Sequence, residues 1–164
     1  MSSLFSNYPL WSALSAIVMA QVIKIPLAYF TLGRLDWKLL FSTGGMPSSH
    51  SAAVTALTTA IGLIHGAGSS EFAISVIFSI IVMFDAAGVR RHAGIHATVL
   101  NLLIEDFQQL IQEIKSQHTL KPNKQMAVKL KELLGHQPSE VVIGGWLGII
   151  HSILLYYLIE YSWK

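Results

Sequence analysis

Two histidines and a glutamate in this sequence have the setting and spacing for nucleophilic and acid–base chemistry. His50 lies in the stretch GGMPSSHSA (residues 44–52), directly before a long run without charge. His136 precedes a second uncharged run, and Glu140 follows it by four residues. A carboxylate at that spacing can accept one ring N–H of His136, which fixes the tautomer and makes the other nitrogen a better nucleophile. His50 can then supply the acid that a leaving oxygen needs.

The residues around the histidines are of the kinds that bind an anion. Pro47 and Pro138 stand where helices are expected to begin, and a helix start offers free N–H groups and partial positive charge. Gly45 lets the backbone come close to a ligand. Arginine favours phosphate as the anion, and two histidines make phosphoryl transfer without a metal ion the chemistry to expect. The other candidate phosphate-binding residues are Ser48, Ser49, Lys24, Arg90 and Arg91.

Two further polar residues interrupt apolar runs. A carboxylate in such a run needs a partner, so we expect Asp85 to hold Arg90, Arg91 or His50 in place. His151 lies in the middle of the last apolar run and is expected to pack between helices. The glycines of the segment 144–148 predict close helix packing rather than catalysis.

The composition indicates an integral-membrane protein. Of the 164 residues, 52% are hydrophobic and 12% are charged, which is about half the usual charged share. There is no cysteine, and the net charge of +2 is too small and too dispersed for a nucleic-acid partner. The N-terminus lacks the basic region of a cleavable signal peptide, so the first apolar segment is expected to remain.

Four segments have the roughly 20 apolar residues that a membrane span requires. They run over residues 8–30, 47–66, 72–89 and 138–161. A polar region separates the last two, with an amphipathic helix predicted at His96–Ile114 and a short basic helix at Gln125–Leu134. The sequence therefore predicts an all-α fold: an integral-membrane helical bundle of about four transmembrane helices plus a cytoplasmic amphipathic helix, in a single domain over residues 1–164.

The distribution of lysine and arginine predicts the orientation. The basic residues concentrate after the first and third spans, which puts both regions in the cytoplasm by the positive-inside rule. Every predicted span then contributes its titratable residues to that one face. The sequence therefore predicts a multi-pass protein of the cell (inner or plasma) membrane whose site faces the cytoplasm. Four spans around an open-sided site favour a homodimer.

Two motifs resemble those of a known superfamily. The stretch MPSSHSA is similar to the Pro-Ser-Gly-His motif of the type 2 phosphatidic acid phosphatases, a superfamily that includes vanadium haloperoxidases. The stretch GHQPSEVVIGGWLG (residues 135–148) resembles their last motif, His-x3-Asp followed by small residues. Together with DAAGVRR (residues 85–91), these motifs occur in the order typical of a divergent branch of bacterial and plant membrane proteins, over nearly the whole chain.

The resemblance implies a role for each matching residue. His136 is expected to form a phosphohistidine, with Glu140 in place of the orienting aspartate. His50 is expected to protonate the leaving oxygen, and Ser49 occupies the glycine position of the motif. The Lys-x6-Arg-Pro motif is absent, and Lys131 stands near where a Ser-Arg pair is usual. We therefore infer that Arg90 and Arg91 replace the missing arginines.

The resemblance implies a metal-independent phosphatase of a lipid phosphate or diphosphate that requires no cofactor. Its partners are then membrane lipids and a lipid phosphate such as phosphatidylglycerophosphate or phosphatidate. Two alternatives stay open within this reading: a polyprenyl diphosphate phosphatase, and an inactive membrane protein that binds anionic lipid headgroups. A third hypothesis, from a different functional class, is a small transporter or channel subunit with Asp85 and His151 in a polar path.

Overall fold

Five helices account for nearly all of the described chain. The computed structural model describes residues 6–33, 37, 44–117, 130 and 135–162, and in this part there is no strand. The predicted all-α fold is therefore confirmed. In chain order the helices are α1 (Tyr8–Leu32), α2 (Ser49–His65), α3 (Ser70–Ala87), α4 (Val89–Gln117) and α5 (Pro138–Ser162).

Three helical stretches of the described chain are long and apolar enough to cross a membrane. They are Tyr8–Phe30, Ser70–Ile114 and Pro138–Ile159. The segment 47–66, predicted as a further span, forms α2, whose 17 residues lie at the lower limit for crossing a bilayer. The membrane character of the protein is confirmed, while the number of crossings and their orientation stay predictions.

Large apolar side chains cover the outside of the bundle. Phe30, Phe84 and Ile74 are 85%, 77% and 70% exposed. Extended apolar surface of this kind is rare on proteins that face water on all sides. These side chains therefore belong to a surface suited to lipid.

Helix α2 lies in the middle of the bundle and packs against α1, α3 and α5. Its buried positions carry small residues, and Ala52 and Ala56 form the core together with Ala16 and Ala20 of α1. Between helices in lipid there is little hydrophobic driving force, so small residues hold helices together by close van der Waals contact.

Two glycines of α5 set its distance from α2. A Cβ atom at Gly144 would overlap the backbone of Ser48, and one at Gly148 would overlap the backbone of Ala52. Gly145, between them, has more room, because a Cβ there would meet only side-chain atoms at 3.4 and 3.6 Å. The close helix packing predicted for this glycine segment is confirmed.

Polar side chains add hydrogen bonds between the helices. Thr58 Oγ1 of α2 lies 2.7 Å from Ser79 Oγ of α3, and Ser79 Oγ donates to the Val54 carbonyl at 2.9 Å. Between α1 and α5, Ser15 Oγ lies 2.7 Å from His151 Nε2. His151 is thus the interhelical packing residue that the sequence predicts.

Helix α4 follows α3 after a single residue, Gly88, and packs mainly against α3. The predicted start at His96 is wrong: the helix begins at Val89, one residue after α3 ends, and no proline interrupts it. Arg90 and Arg91 therefore lie in its first turn. The apolar stripe is exposed as expected for an amphipathic helix, at Val99, Leu103, Phe107, Leu110 and Ile114.

We expect Gly148→Ala to lower the free energy of unfolding by about 1–3 kcal/mol, because the added methyl group overlaps the backbone of Ala52 in a packed interface. Gly145→Ala is the matched control, with the same change in helix propensity, and should be neutral or stabilising by about 0.5–1 kcal/mol. Reversible unfolding in mixed detergent micelles measures both variants. Equal stabilities would contradict the close contact of α2 with α5.

Candidate active site

The ring of His136 is held from one side by a carboxylate. His136 Nδ1 lies 2.9 Å from Glu140 Oε2, and the histidine side chain is buried. Because a carboxylate only accepts hydrogen bonds, this geometry assigns the ring hydrogen to Nδ1 and leaves a lone pair on Nε2. The contact expected from the four-residue spacing is present.

The same carboxylate oxygen also caps α5. Glu140 Oε2 accepts the N–H of Gln137 at 3.1 Å, and Gln137 directly precedes Pro138, the first residue of the helix. A glutamate at the third helical position that reaches back to the N-cap N–H forms half of a capping box. One side chain therefore starts the helix and orients the histidine.

Backbone hydrogen bonds bring the ends of three helices to this place. The N–H of His136 donates to the carbonyl of Ala86, near the end of α3, at 3.0 Å. The N–H of Ser48, just before α2, donates to the carbonyl of Glu140 in α5, also at 3.0 Å. The segment that carries His136 is thus fixed against both neighbouring helices.

His50 lies in the first turn of α2 and faces His136. The two ring centroids are 6.1 Å apart, with the ring planes inclined at 63°. His50 Nδ1 and His136 Nε2 are both buried and have no hydrogen-bond partner among the described residues. Leaving a buried polar atom unsatisfied costs about 1–3 kcal/mol. Two unpartnered nitrogens on neighbouring histidine rings indicate a place for a polar ligand.

Lys24 of α1 is buried, with only 3% of its surface exposed. Its Nζ donates to the carbonyl of Gly44 at 3.1 Å. Its charge also interacts with Glu140 and with His50. Lys24 therefore supports the glycine loop that borders the histidines.

A cavity of about 230 Å³ lies beside His136. Of the predicted site residues, Gly45, Arg91, His136 and Glu140 line it. Gly45 has a φ of +88°, a conformation that glycine adopts without steric cost. The remaining lining residues are Gly44, Gly94, Ile95, Thr98, Gly135 and Gln137.

Gly135 fixes the loop before His136 against α4. It has a φ of +86°, and a Cβ atom there would overlap the backbone of Arg90 and Arg91. Only glycine allows this approach. His136 is consequently next to the end of the cavity that Arg91 forms.

The two arginines have different surroundings. Arg90 Nε lies 2.6 Å from Asp85 Oδ2, in a pair whose side chains are 52% and 36% exposed. Of the three partners that the sequence allowed for Asp85, the structure shows Arg90. Both charges act on His50, but neither residue lines the cavity, whereas Arg91 does.

The two serines before His50 are buried and do not line the cavity. Ser48 is the N-cap of α2, and its Oγ accepts hydrogen bonds from the N–H of Ser51 at 3.4 Å and from Ser51 Oγ at 3.1 Å. Its hydroxyl oxygen therefore caps the start of α2. Ser49 is the first residue of α2 and is 6% exposed.

Asn101 of α4 binds the backbone of Leu130 on both sides. Its Nδ2 donates to the Leu130 carbonyl at 2.9 Å, and its Oδ1 accepts the Leu130 N–H at 3.0 Å. This pair of bonds ties α4 to the segment that leads to His136. Lys131 and the rest of the predicted basic helix Gln125–Leu134, apart from Leu130, lie outside the described residues.

Comparison with known proteins shows the family of the chain. The sequence pattern described as the Divergent PAP2 family matches residues 5–151. The chain belongs to the Divergent PAP2 family. It is 55% identical over 154 residues to a protein of Bacillus subtilis (strain 168) named "Uncharacterized membrane protein YuiD", covering 94% of this chain and 97% of that one. No solved structure matches the chain. The resemblance drawn from the motifs is confirmed.

Apart from Arg91, sequence reasoning missed the part of the cavity wall that α4 supplies in this Divergent PAP2 protein. Arg91, Gly94, Ile95 and Thr98 recur at intervals of three and four residues, so they lie on one helix face. That spacing is visible in the sequence, but only after the helix is known to begin at Val89. Asn101 gave no such signal, because its partner is a backbone group far along the chain.

We expect neutral His136 in this Divergent PAP2 protein to carry its hydrogen on Nδ1, because Glu140 accepts it there. In Glu140→Ala the preference should disappear and the ring should populate both tautomers. ¹⁵N NMR of histidine-labelled protein, assigned with His136→Asn, measures this directly. A wild-type spectrum with the hydrogen on Nε2 would contradict the assignment, and circular dichroism checks that the variant keeps its helices.

Proposed function

We propose that this protein is a phosphatase of lipid phosphates that works through a phosphohistidine at His136, on the cytoplasmic face of the cell membrane. Membership of the Divergent PAP2 family supports a phosphatase-related membrane protein. One observation carries the catalytic proposal: Glu140 holds Nδ1 of His136, Nε2 has no hydrogen-bond partner among the described residues, and the ring lies 6.1 Å from that of His50. This is the arrangement of a nucleophile, an orienting group and an acid.

In the first step, the lone pair of His136 Nε2 attacks the phosphorus atom. The N–P bond forms as the bond between phosphorus and the lipid oxygen breaks. His50 in its protonated form gives its proton to that oxygen, so the lipid leaves as an alcohol. Glu140 keeps the Nδ1–H hydrogen bond and stabilises the positive charge that develops on the ring.

In the second step, water attacks the phosphorus atom of the phosphohistidine. His50, now neutral, takes a proton from the water, and the N–P bond breaks with its electron pair returning to His136. Inorganic phosphate leaves, and both histidines regain their starting states. The sum is one phosphomonoester and one water converted to one alcohol and one phosphate.

The charge around the phosphate favours a monophosphate. Arg91 is the one lysine or arginine among the described residues that line the cavity, and it suits the oxygens of a phosphoryl group. The backbone of the loop at Gly44 and Gly45 supplies further polar groups. A diphosphate carries more negative charge than Arg91 in the cavity lining offsets. Polyprenyl diphosphate is therefore the less favoured substrate. None of these steps requires a metal ion.

Headgroup binding without turnover is the second candidate. Lys24, Arg90 and Ser48 each contact another group of the protein itself. Fewer of the predicted phosphate ligands are then left to stabilise a transition state than the sequence implied. The same pocket would still attract an anionic lipid headgroup.

Phosphate release from lipid phosphates and diphosphates, in detergent with a chelator, tests the proposal. We expect His136→Asn and His50→Asn to lower the rate by about 10²-fold or more, because each removes a group that takes part in the reaction. His65→Asn changes an exposed histidine at the other end of α2 and serves as the matched control. Equal rates in all four proteins would contradict the proposed roles.

Trapping the intermediate separates the two candidates. With a ³²P-labelled substrate, brief reaction and alkaline quenching should leave an acid-labile label on wild-type protein and none on His136→Asn. Binding of the lipids to wild-type protein without phosphate release or labelling would overturn the enzyme proposal and support headgroup binding.

A further inference from the structure

The cavity beside His136 is longer than a phosphate group requires. Its α4 wall runs from Arg91 to Thr98, and seven residues of helix advance about 10 Å. Gly135 packs against the backbone at Arg91, so the reacting end of the cavity is the Arg91 end. Thr98 stands two helical turns away, beyond the roughly 3 Å reach of a hydrogen bond to a phosphate held at Arg91.

The Thr98 end of the cavity therefore receives the group that is esterified to the phosphate. A cavity of about 230 Å³ is smaller than the roughly 300–1,000 Å³ of pockets that enclose a whole drug-sized ligand. It has room for the phosphate and a small adjoining group, while longer hydrocarbon chains must lie outside it.

The Thr98 side chain at this end of the cavity is suited to a polar group. Thr98 Oγ1 is half-buried and donates to the Gly94 carbonyl at 3.3 Å, a long bond within its own helix. Such a hydroxyl can still accept a hydrogen bond, and it can turn to donate one. A hydrocarbon group placed here would cover the Thr98 hydroxyl without using its remaining hydrogen-bonding capacity, whereas a hydroxyl-bearing group can bond to it.

We propose that the Thr98 end is a subsite for a hydroxyl-bearing ester group on the phosphate, such as a glycerol phosphate headgroup. The inference rests on the proposed function, because it takes the Arg91 end as the place of the phosphate. It predicts a preference for phosphates of glycerol-type headgroups over phosphates esterified to a prenyl chain or directly to diacylglycerol. Thr98 selects the substrate and has no part in the reaction itself.

The test compares two lipids with the same acyl chains: phosphatidylglycerophosphate, whose phosphate is on a hydroxylated glycerol, and phosphatidate. In Thr98→Val we expect the ratio of their kcat/KM values to fall about fivefold, as for the loss of one hydrogen bond. Thr98→Ser should restore the ratio. Thr59→Val is the matched control, since Thr59 makes the same bond to the residue four before it, Thr55, and does not line the cavity.

An unchanged ratio in Thr98→Val, with both lipids still hydrolysed, would overturn the subsite and leave the proposed phosphatase intact. If neither lipid is hydrolysed, the proposed function fails, and the ratio of Kd values from tryptophan fluorescence titration takes the place of the kinetic ratio. A rise in the Kd of phosphatidylglycerophosphate relative to that of phosphatidate in Thr98→Val supports the subsite, and no rise overturns it. Glycerol 3-phosphate, in a separate arm, shows whether a free phosphoester satisfies the subsite as well as a lipid does.

Discussion

The close contact between α2 and α5 is the constraint on which the candidate site depends. At Gly144 the starts of α2 and α5 are so close that a Cβ atom there would overlap the backbone of Ser48. The backbone bond from Ser48 to Glu140 is possible only at this distance, and it puts His50 opposite His136. A larger residue in place of Gly144 would therefore separate the histidines without touching either of them.

Much of the fold follows from composition and periodicity. The uncharged runs predict the apolar helices, and the spacing of Val99, Leu103 and Phe107 predicts the amphipathic face of α4. The sequence predicts the start of α4 too late along the chain. Arg90 and Arg91 have the position typical of basic residues that end a membrane span, but they form the first turn of a new helix. Local propensity does not reveal that α4 continues from α3 after one residue.

The pairing of His136 with Glu140 could be predicted, because both partners lie within one helical turn. The sequence predicts that Glu140 orients the ring, and the structure shows that the same oxygen also caps α5. Contacts between distant segments could not be read in this way. The bond of Lys24 to Gly44 and the packing of Gly135 against Arg91 depend on how the helices assemble.

Helix α4 joins two surfaces of different character. One face, from Arg91 to Thr98, lines the cavity, and another carries the exposed apolar stripe that begins at Val99. A helix rotates as a rigid body, so a shift of the stripe moves the cavity wall as well. Outside α3, the contacts of α4 include the bond between Asn101 and Leu130 and the packing of Gly135 against Arg91. Whatever packs against the apolar stripe therefore also helps to set the shape of the pocket, because stripe and cavity wall belong to the same helix.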